Sequence, residues 1–381
     1  MSNPNLQILS NKDLKELLRE RDLSVGGKKA VLISRLVEWE DKNARAEKKD
    51  AAESDAVAPA VNMKKLYIRG SIGCVFFLTL LFGVGVPMRL TKYVAVALAV
   101  QLFVYFFHAL PNDSEMLYDL TGAATHLALM LASLLSGGRR VRSERQLFVA
   151  VGSALWLSRL GAYLYGRIVK DGIDHRFTKL KKSYISFLVP WLGQAVWTTF
   201  IQLPVILLND VEDPAAAITA LDCVGIAAWF VGFAVEVVAD TQKAAFRANS
   251  ANKQRYITTG IWRYSRHPNY FGEILMWSAM ALIASGEHLA QATACATGGS
   301  VGGGVPGVLS CVGAALGVRV IAAWISPAFT AFLLIKVSGV SMLEPLGMKK
   351  WGDDPAYVHY MEHTSCIIPW RPAPVQDKRV R

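Results

Sequence analysis

Apolar residues recur along this chain in long runs that are separated by short polar and basic segments. A run of about 20 apolar residues is long enough for one helix to cross the hydrocarbon core of a bilayer. From Leu66 onward, the pattern predicts about eight such helices. Their expected ranges are 66–86, 93–110, 118–136, 146–165, 187–208, 218–239, 271–286 and 318–337. The predicted fold class is therefore all-α, a polytopic membrane helical bundle.

The first 40 residues follow a different pattern. Leucines recur at helical spacing on two short segments, at about 11–21 and 28–39, with Gly26 and Gly27 in the turn between them. Leucines spaced in this way on two amphipathic helices can form one small shared core. We therefore expect a helix–loop–helix module at 1–40. Residues 41–62 are charged and alanine-rich without an apolar stripe, which is typical of a disordered linker.

The composition agrees with a membrane protein. The chain is 52% hydrophobic and only 19% charged, with a mean hydropathy of +0.30, which excludes an ordinary soluble protein of this length. The 5 cysteines lie far apart and include no C-x-x-C pair, which excludes a disulfide scaffold and a cysteine zinc site. The polar opening residues predict that no cleavable signal peptide is present.

The charge distribution predicts an orientation. The net charge of +11 lies beyond residue 62, because residues 1–62 carry equal numbers of basic and acidic side chains. With eight crossings, the N-terminus, the loops 166–186 and 240–270 and the C-terminal tail share one side and hold most of the loop cations. That side is predicted to be cytoplasmic or nucleoplasmic, in the endoplasmic reticulum or nuclear envelope. The segment 137–145 opposes this orientation with four arginines on the other side.

The segment 234–273 carries the chemistry. Glu236 lies within an apolar run, where a carboxylate costs roughly 2.5–3.5 kcal/mol unless it faces a cavity or a partner, and Arg159 is one candidate partner. Asp240, Lys243 and Arg247 follow on one face of the same helix. The chain then re-enters the membrane through Arg266-His267-Pro268-Asn269-Tyr270-Phe271-Gly272-Glu273.

These motifs resemble those of the membrane reductases of the steroid 5α-reductase and sterol C14-reductase superfamily. The matching residues are Glu236, Asp240, Gln242, Lys243, Phe246 and Arg247, then Gly260, Trp262, Tyr264 and 266–273, and finally Trp351, Asp353, Asp354, Tyr357, Tyr360, Thr364 and Trp370. Upstream, Arg159 and the segment 174–177 resemble the same superfamily. The resemblance implies a catalytic domain at 145–370 behind N-terminal transmembrane helices at 63–144, with a tail at 371–381. The glycine-rich segment 287–317 resembles an insertion. For its apolar part, 301–317, the sequence leaves three alternatives open: a loop, a re-entrant segment or part of a span.

The resemblance implies that NADPH binds in a cytosol-facing cavity and that hydride reaches a carbon–carbon double bond of a sterol-like or isoprenoid lipid in the bilayer. Lysine and arginine side chains suit the phosphates of NADPH. The expected cofactor-binding residues are Asp240, Lys243, Arg247, Trp262, Arg266, His267, Asn269 and Tyr270. The reaction also needs a proton donor. Its candidates are Glu236, Tyr264 and Glu273.

Residues 9–37 resemble a SAP motif, the helix–loop–helix module of chromatin-associated proteins. The matching residues are Leu14, Lys15, Leu17, Arg21, Leu23, Gly26, Lys28, Leu32, Arg35 and Leu36, whereas Asp22 replaces the usual glycine. The resemblance implies DNA or chromatin contact through Lys28, Lys29 and Arg35, because phosphates attract cations irrespective of sequence. Docking of another protein is the alternative. A net charge of zero over 1–62 argues against tight DNA binding by this module alone.

Two other functions remain open at this point. Isoprenylcysteine carboxyl methyltransferases, which use S-adenosylmethionine, also carry an Arg-His-Pro-x-Tyr segment, but their cofactor has no phosphates to match Lys243 and Arg247. A non-catalytic nuclear-envelope anchor is the other possibility. No metal site is expected, since His359 and His363 have no evident third ligand. His108 and His126 are interpreted as polar residues packed between helices.

Overall fold

The computed structural model describes residues 10–19, 21, 23–39, 41–43, 62–136, 142–171, 174, 176–211, 218–296, 318–370 and 372. Within these ranges all regular secondary structure is helical, which confirms the predicted all-α class. The chain divides into two units, Met1–Leu66 and Tyr67–Arg381. Most of the predicted linker at 41–62 and of the tail at 371–381 lies outside the described residues.

The N-terminal unit is a small helical hairpin. Helix α1 spans Asn11–Arg19, where about 11–21 was expected, and α2 covers 29–39. Asp13 and the preceding Ser10 cap the start of α1, since the Ser10 amide donates to the Asp13 carboxylate at 3.2 Å. Buried leucines from both helices meet in one core. They are Leu14, Leu18, Leu32 and Leu36.

The second unit is a bundle of helices. Their bounds are α3 Met63–Gly85, α4 Thr91–Val104, α5 Tyr118–Leu135, α6 Glu144–Asp171, α7 Tyr184–Ile201, α8 Leu203–Asn209, α9 Ala220–Ala248, α10 Pro268–Ala296, α11 Val320–Phe332, α12 Val340–Trp351 and α13 Pro355–His363. Helices α4 and α11 continue as π-helix to Ala109 and Val337.

Within the described residues, five helical stretches are long and apolar enough to cross a membrane. They are Met63–Gly85, Thr91–Ala109, Tyr184–Ile201, Ala220–Ala248 and Val320–Trp351. The chain therefore fits a membrane protein, while the expected count of about eight crossings stays a prediction. Helix α10 continues to Ala296, past the end of the span expected at 271–286. The remainder of the glycine-rich segment, 297–317, lies outside the described residues.

Three helices position the functional site. Arg145 and Arg159 of α6 pair with Asp222 and Glu236 of α9, both 77 residues later in the chain, so α6 and α9 run parallel. Helix α10 runs antiparallel to α9 and approaches it closely at Gly272, where a Cβ atom would lie 2.5 Å from the Gly232 carbonyl oxygen. This approach places the residues around Glu236 against the start of α10.

The close approach of α9 and α10 predicts a strong effect of Gly272→Ala. The added methyl would meet backbone atoms of Gly232 and Glu236 within 2.8 Å, and backbone cannot rotate away. Overpacking of this kind costs roughly 1–3 kcal/mol. Thermal unfolding of the purified protein in micelles should show a lower midpoint. The matched control is Gly83→Ala on α3, where nothing lies within 4 Å of the new Cβ, and an equal loss there would contradict the packing argument.

The other end of the same helices holds a buried ionic cluster. Arg145 is 2% exposed and donates to both Asp222 carboxylate oxygens at 2.8 Å and to Glu287 Oε2 at 2.9 Å. Arg142 caps helix ends by donating to the carbonyls of Leu134 and Asn209. Arg142 and Arg145 therefore form contacts within the protein. Their charges count less against the predicted orientation than charges in a solvent-exposed loop would.

Candidate active site

A cavity of about 310 Å³ lies beyond the end of α9, between the loop that leads to α10 and the pair α12 and α13. Five cations line it, with a single acid, Glu344. The cations are Lys243, Arg247, Arg255, Arg266 and Lys350. Such a surplus of positive charge in a concave site favours an anionic ligand.

Aromatic side chains form much of the remaining wall, among them Phe246, Tyr256, Trp262, Trp351, Tyr357 and Tyr360. The Tyr256 ring packs on Tyr357 with 4.7 Å between ring centroids, and its hydroxyl donates to Asp354 at 2.9 Å. Burial is the main cause that raises the Tyr256 pKa to about 12, so this hydroxyl stays a neutral donor at physiological pH. Flat aromatic walls beside cations suit a ligand that has both rings and phosphates.

The loop after α9 is fixed to that helix. Gly260 has φ +61°, and a Cβ atom there would lie 2.2 Å from Gln242 Oε1, which accepts from the Ile261 amide at 3.0 Å. The Trp262 indole donates to the Ala239 carbonyl at 3.0 Å. The Lys243 ammonium lies 4.9 Å from the Trp262 ring centroid, a cation–π contact. Lys243 is thereby held at the cavity wall.

Arg266 and His267 line the cavity but already have partners. Arg266 Nε donates to Glu344 Oε1 at 2.9 Å, and its Nη1 donates to the carbonyls of Met361 and Thr364. His267 Nε2 lies 3.1 Å from the same Glu344 oxygen, and burial lowers the His267 pKa although Glu344 acts in the opposite direction. Both residues therefore support the cavity wall, and Lys243 and Arg247 are better placed to contact a ligand.

Backbone hydrogen bonds join the start of α10 to the segment that follows α13. The amides of Arg266 and His267 donate to the carbonyls of Ser365 and Cys366 at 2.8 and 3.1 Å. Tyr360 adds a side-chain link, since its hydroxyl donates to the Trp262 carbonyl at 2.7 Å. The C-terminal part of the described chain thus closes one side of the cavity.

An acidic cluster lies earlier on α9 than the cavity residues, toward the interior of the bundle. Arg159 pairs with Glu236 and, at 2.8 Å, with Asp240. Glu273 on α10 is close enough for its charge to act on both Glu236 and Arg159. The Glu236 side chain is 7% exposed, and its second oxygen, Oε2, has no hydrogen-bond partner among the described residues. We call Arg159, Glu236, Asp240 and Glu273 the acidic cluster.

The other predicted site residues fall in different places. Asn269 lies close enough to Asp240 to favour its charged form, and Asn269 Oδ1 is buried with no partner in the described part of the chain. The Tyr270 ring stacks on His267 at 5.1 Å. Tyr264 is 40% exposed and does not line the cavity. Arg255 and Lys350 were missed because no motif marks them, whereas Trp351, Tyr357 and Tyr360 already stood in the sequence resemblance.

A triad with metal-ligand chemistry lies at the cavity wall. The ligand atoms of His267, Glu344 and Cys366 lie within 4.8 Å of one another. Arg266 donates to the same Glu344 oxygen, and a cation there would meet its positive charge. His359 and His363 stack with 4.1 Å between ring centroids on α13. The expectation that no metal is bound stays a prediction.

In the N-terminal unit, the three residues expected to contact DNA differ in their surroundings. Lys28 and Lys29 are exposed. Arg35 is half-buried and donates to the carbonyls of Ser24 and Gly26 at 2.8 and 2.5 Å. Arg35 therefore closes the turn between α1 and α2, and the lysines are better placed for phosphate contact.

Two family models match the chain. One is described as a protein of unknown function, DUF1295, and matches residues 105–302. The other is the SAP domain, which matches residues 6–41. No curated protein and no solved structure matches.

Proposed function

We propose that this chain is a membrane-embedded, NADPH-dependent reductase. The chain belongs to the steroid 5α-reductase-like family DUF1295 and carries an N-terminal SAP domain. Its substrate would be a sterol-like or isoprenoid lipid with a carbon–carbon double bond. The cationic, aromatic-walled cavity next to the acidic cluster is the observation that carries the proposal. S-adenosylmethionine has no phosphate groups, so a site for it would not require this density of positive charge.

The residues at the cavity fit the cofactor. Arg247 forms no ion pair or hydrogen bond within the described residues, and Lys243 forms a cation–π contact with Trp262 and lies near the charges of Arg247 and Asp240. Both cations are therefore available for phosphates. Asn269 lies near Asp240 and outside the cavity lining, and its unpaired Oδ1 can accept a hydrogen bond from a part of the cofactor that extends beyond the cavity. NADPH, when bound, supplies hydride to one carbon of the substrate's double bond.

The proton that completes the reduction would come from the acidic cluster. Glu236 and Asp240 pair with one guanidinium there, and Glu273 is close enough for its charge to act on Glu236, so that the three carboxyl groups cannot all ionise without a large cost. Glu236 is the best-placed donor, because Arg159 holds one of its oxygens while Oε2 has no partner. Asp240 is 45% exposed and offers a route by which Glu236 regains its proton from water.

NADPH binding tests this function directly. Isothermal titration of the purified protein should give a dissociation constant that rises about tenfold to a hundredfold in Lys243→Ala and in Arg247→Ala, because a hydrogen bond to a charged group contributes about 1.5–3 kcal/mol. Lys253→Ala is the control, since Lys253 is exposed in the same loop and does not line the cavity. Unchanged NADPH binding in both cavity variants, together with binding of S-adenosylmethionine, would favour the methyltransferase.

The SAP domain adds a proposed nucleic-acid contact. DNA or chromatin would bind through Lys28 and Lys29, which places the protein at the nuclear envelope or the adjoining endoplasmic reticulum with its N-terminus facing the nucleoplasm or cytoplasm. Because this contact is electrostatic, its affinity should fall steeply with salt. A Lys28→Ala, Lys29→Ala double variant of the full chain should lose retention on DNA at low salt, and unchanged retention would remove the proposed contact.

A further inference from the structure

Several buried polar side chains in the middle of the helical domain take no part in the site described above. Gln101 on α4 and His126 on α5 are 0% exposed, and Gln194 on α7 is 5% exposed. Oε1 of each glutamine and both ring nitrogens of His126 have no hydrogen-bond partner in the part of the chain that the structure describes. Buried polar atoms are nearly always paired. Each of these atoms therefore requires a partner that the described chain does not provide.

These side chains adjoin one another. Gln101 Nε2 donates to Thr125 Oγ1 at 2.9 Å, and Thr125 directly precedes His126. Gly122, one turn earlier on α5, lies against Gln194, since a Cβ atom at this position would be 2.7 Å from Gln194 Nε2. The unpaired atoms of α4, α5 and α7 thus belong to one region and not to separate packing defects.

Indole rings surround this region. The His126 ring lies edge-on to Trp156 of α6 and Trp197 of α7, with 5.3 and 4.7 Å between ring centroids. Trp156 in turn lies edge-on to Trp277 of α10 at 5.0 Å, and the buried Trp277 Nε1 has no acceptor among the described residues. We call the set Gln101, Thr125, His126, Gln194, Trp156, Trp197 and Trp277 the tryptophan box.

The tryptophan box is next to the acidic cluster. Trp156 precedes Arg159 by three residues on α6, and Trp277 follows Glu273 by four residues on α10. Residues three or four apart lie on the same helix face, about one turn or 5 Å apart along the axis. Two helices therefore lead from the acidic cluster directly to the box.

The chemistry of the box indicates what it binds. The indole N–H is a donor, the glutamine Oε1 atoms are acceptors, and an imidazole offers one of each. A hydroxyl or carbonyl oxygen complements this set, whereas a charged group would find no acid, lysine or arginine in the box. Indole rings suit flat, fused aliphatic rings.

We propose that the tryptophan box binds the oxygen-bearing end of a neutral, sterol-like lipid, with His126, Gln101 and Gln194 as its hydrogen-bonding partners. This inference rests on the proposed function and assigns the substrate end of that site. The reducible double bond, which adjoins this oxygen in an enone, would then lie between the box and Glu236.

Binding of tritiated cholest-4-en-3-one to the cofactor-free protein in phosphatidylcholine nanodiscs tests the proposal. The wild-type protein should bind it saturably, and unlabelled cholestane, which has the rings without the oxygen, should compete poorly. His126→Phe keeps an aromatic ring and removes the unpaired nitrogens, and it should weaken binding at least about tenfold. Gln194→Leu provides the second variant if His126→Phe does not fold.

The matched control is His288→Phe. His288 on α10 is also buried, and its Nε2 also has no partner among the described residues, but it lies outside the box. Steroid binding should be unchanged in this variant. Wild-type-like binding in both His126→Phe and Gln194→Leu, or no saturable binding by the wild-type protein, would overturn the proposal. If the protein binds NADPH but no steroid, only the assignment of the tryptophan box is rejected. If it binds the steroid but no NADPH, the proposed reductase function is rejected.

Discussion

Glu236→Gln should lower the rate of lipid reduction by about 10²–10⁴-fold while NADPH binding stays as in the wild-type protein, because a general acid contributes a factor of that size. Glutamine keeps the shape of the side chain and can still accept the hydrogen bond from Arg159, but its amide has no acidic proton to transfer. The measurement is a lipid survey of cells that lack the protein. An unsaturated precursor should accumulate, wild-type protein should clear it, and the Glu236→Gln protein should not.

Parallel variants separate the three candidate donors. Tyr264 is 40% exposed and outside the cavity, so Tyr264→Phe should have the smaller effect. Glu273→Gln removes one charge from the acidic cluster but leaves the Arg159–Glu236 pair in place. If Tyr264→Phe or Glu273→Gln abolished reduction and Glu236→Gln did not, the assignment of the donor would be wrong. Titration of NADPH into each variant shows whether its cofactor site is intact.

Arg145→Met should destabilise the protein by about 3–5 kcal/mol, the usual result of removing one partner from a buried ionic cluster. The substitution leaves the Asp222 and Glu287 carboxylates, both 0% exposed, without their counter-charge. It also removes a contact that joins α6, α9 and α10 at the end of the bundle opposite the cavity. Unfolding by a denaturing detergent, followed by circular dichroism, measures the change in unfolding free energy.

The control for that prediction is Lys92→Met. Lys92 also pairs with a carboxylate, Asp210 at 2.9 Å, but its side chain is 51% exposed. An exposed pair contributes about 0–1 kcal/mol, so this variant should unfold nearly as the wild-type protein does. Equal losses for Arg145→Met and Lys92→Met would show that burial does not determine the contribution of the Arg145 cluster.

The helices could be predicted from the sequence because a chain in lipid must satisfy its backbone hydrogen bonds within each helix. The apolar runs therefore mark most helices well. The span expected at 271–286 is shorter than α10, which ends at Ala296. In the folded protein Glu287 pairs with Arg145, and His288 is buried, so the helix continues past both.

The candidate site was predictable only in part. The spacing of Lys243 and Arg247 places both on one helix face, and both line the cavity. The role of Arg266 depends on Glu344, which lies 78 residues later, and no local pattern reveals that pairing. The tryptophan box is a further example, because its members come from α4, α5, α6, α7 and α10 and meet only after the bundle has packed.

The antiparallel course of α10 has a practical consequence. The helix starts at the cavity with Pro268 and ends at Ala296 on the opposite end of the bundle, and the described chain resumes there at Val318 before α11 returns toward the cavity. The cavity residues at the start of α10 are therefore separated by the length of the helix from the Glu287–Arg145 pair. A fluorescent label attached at the end of the bundle that carries this pair would follow the protein and leave the cavity unobstructed.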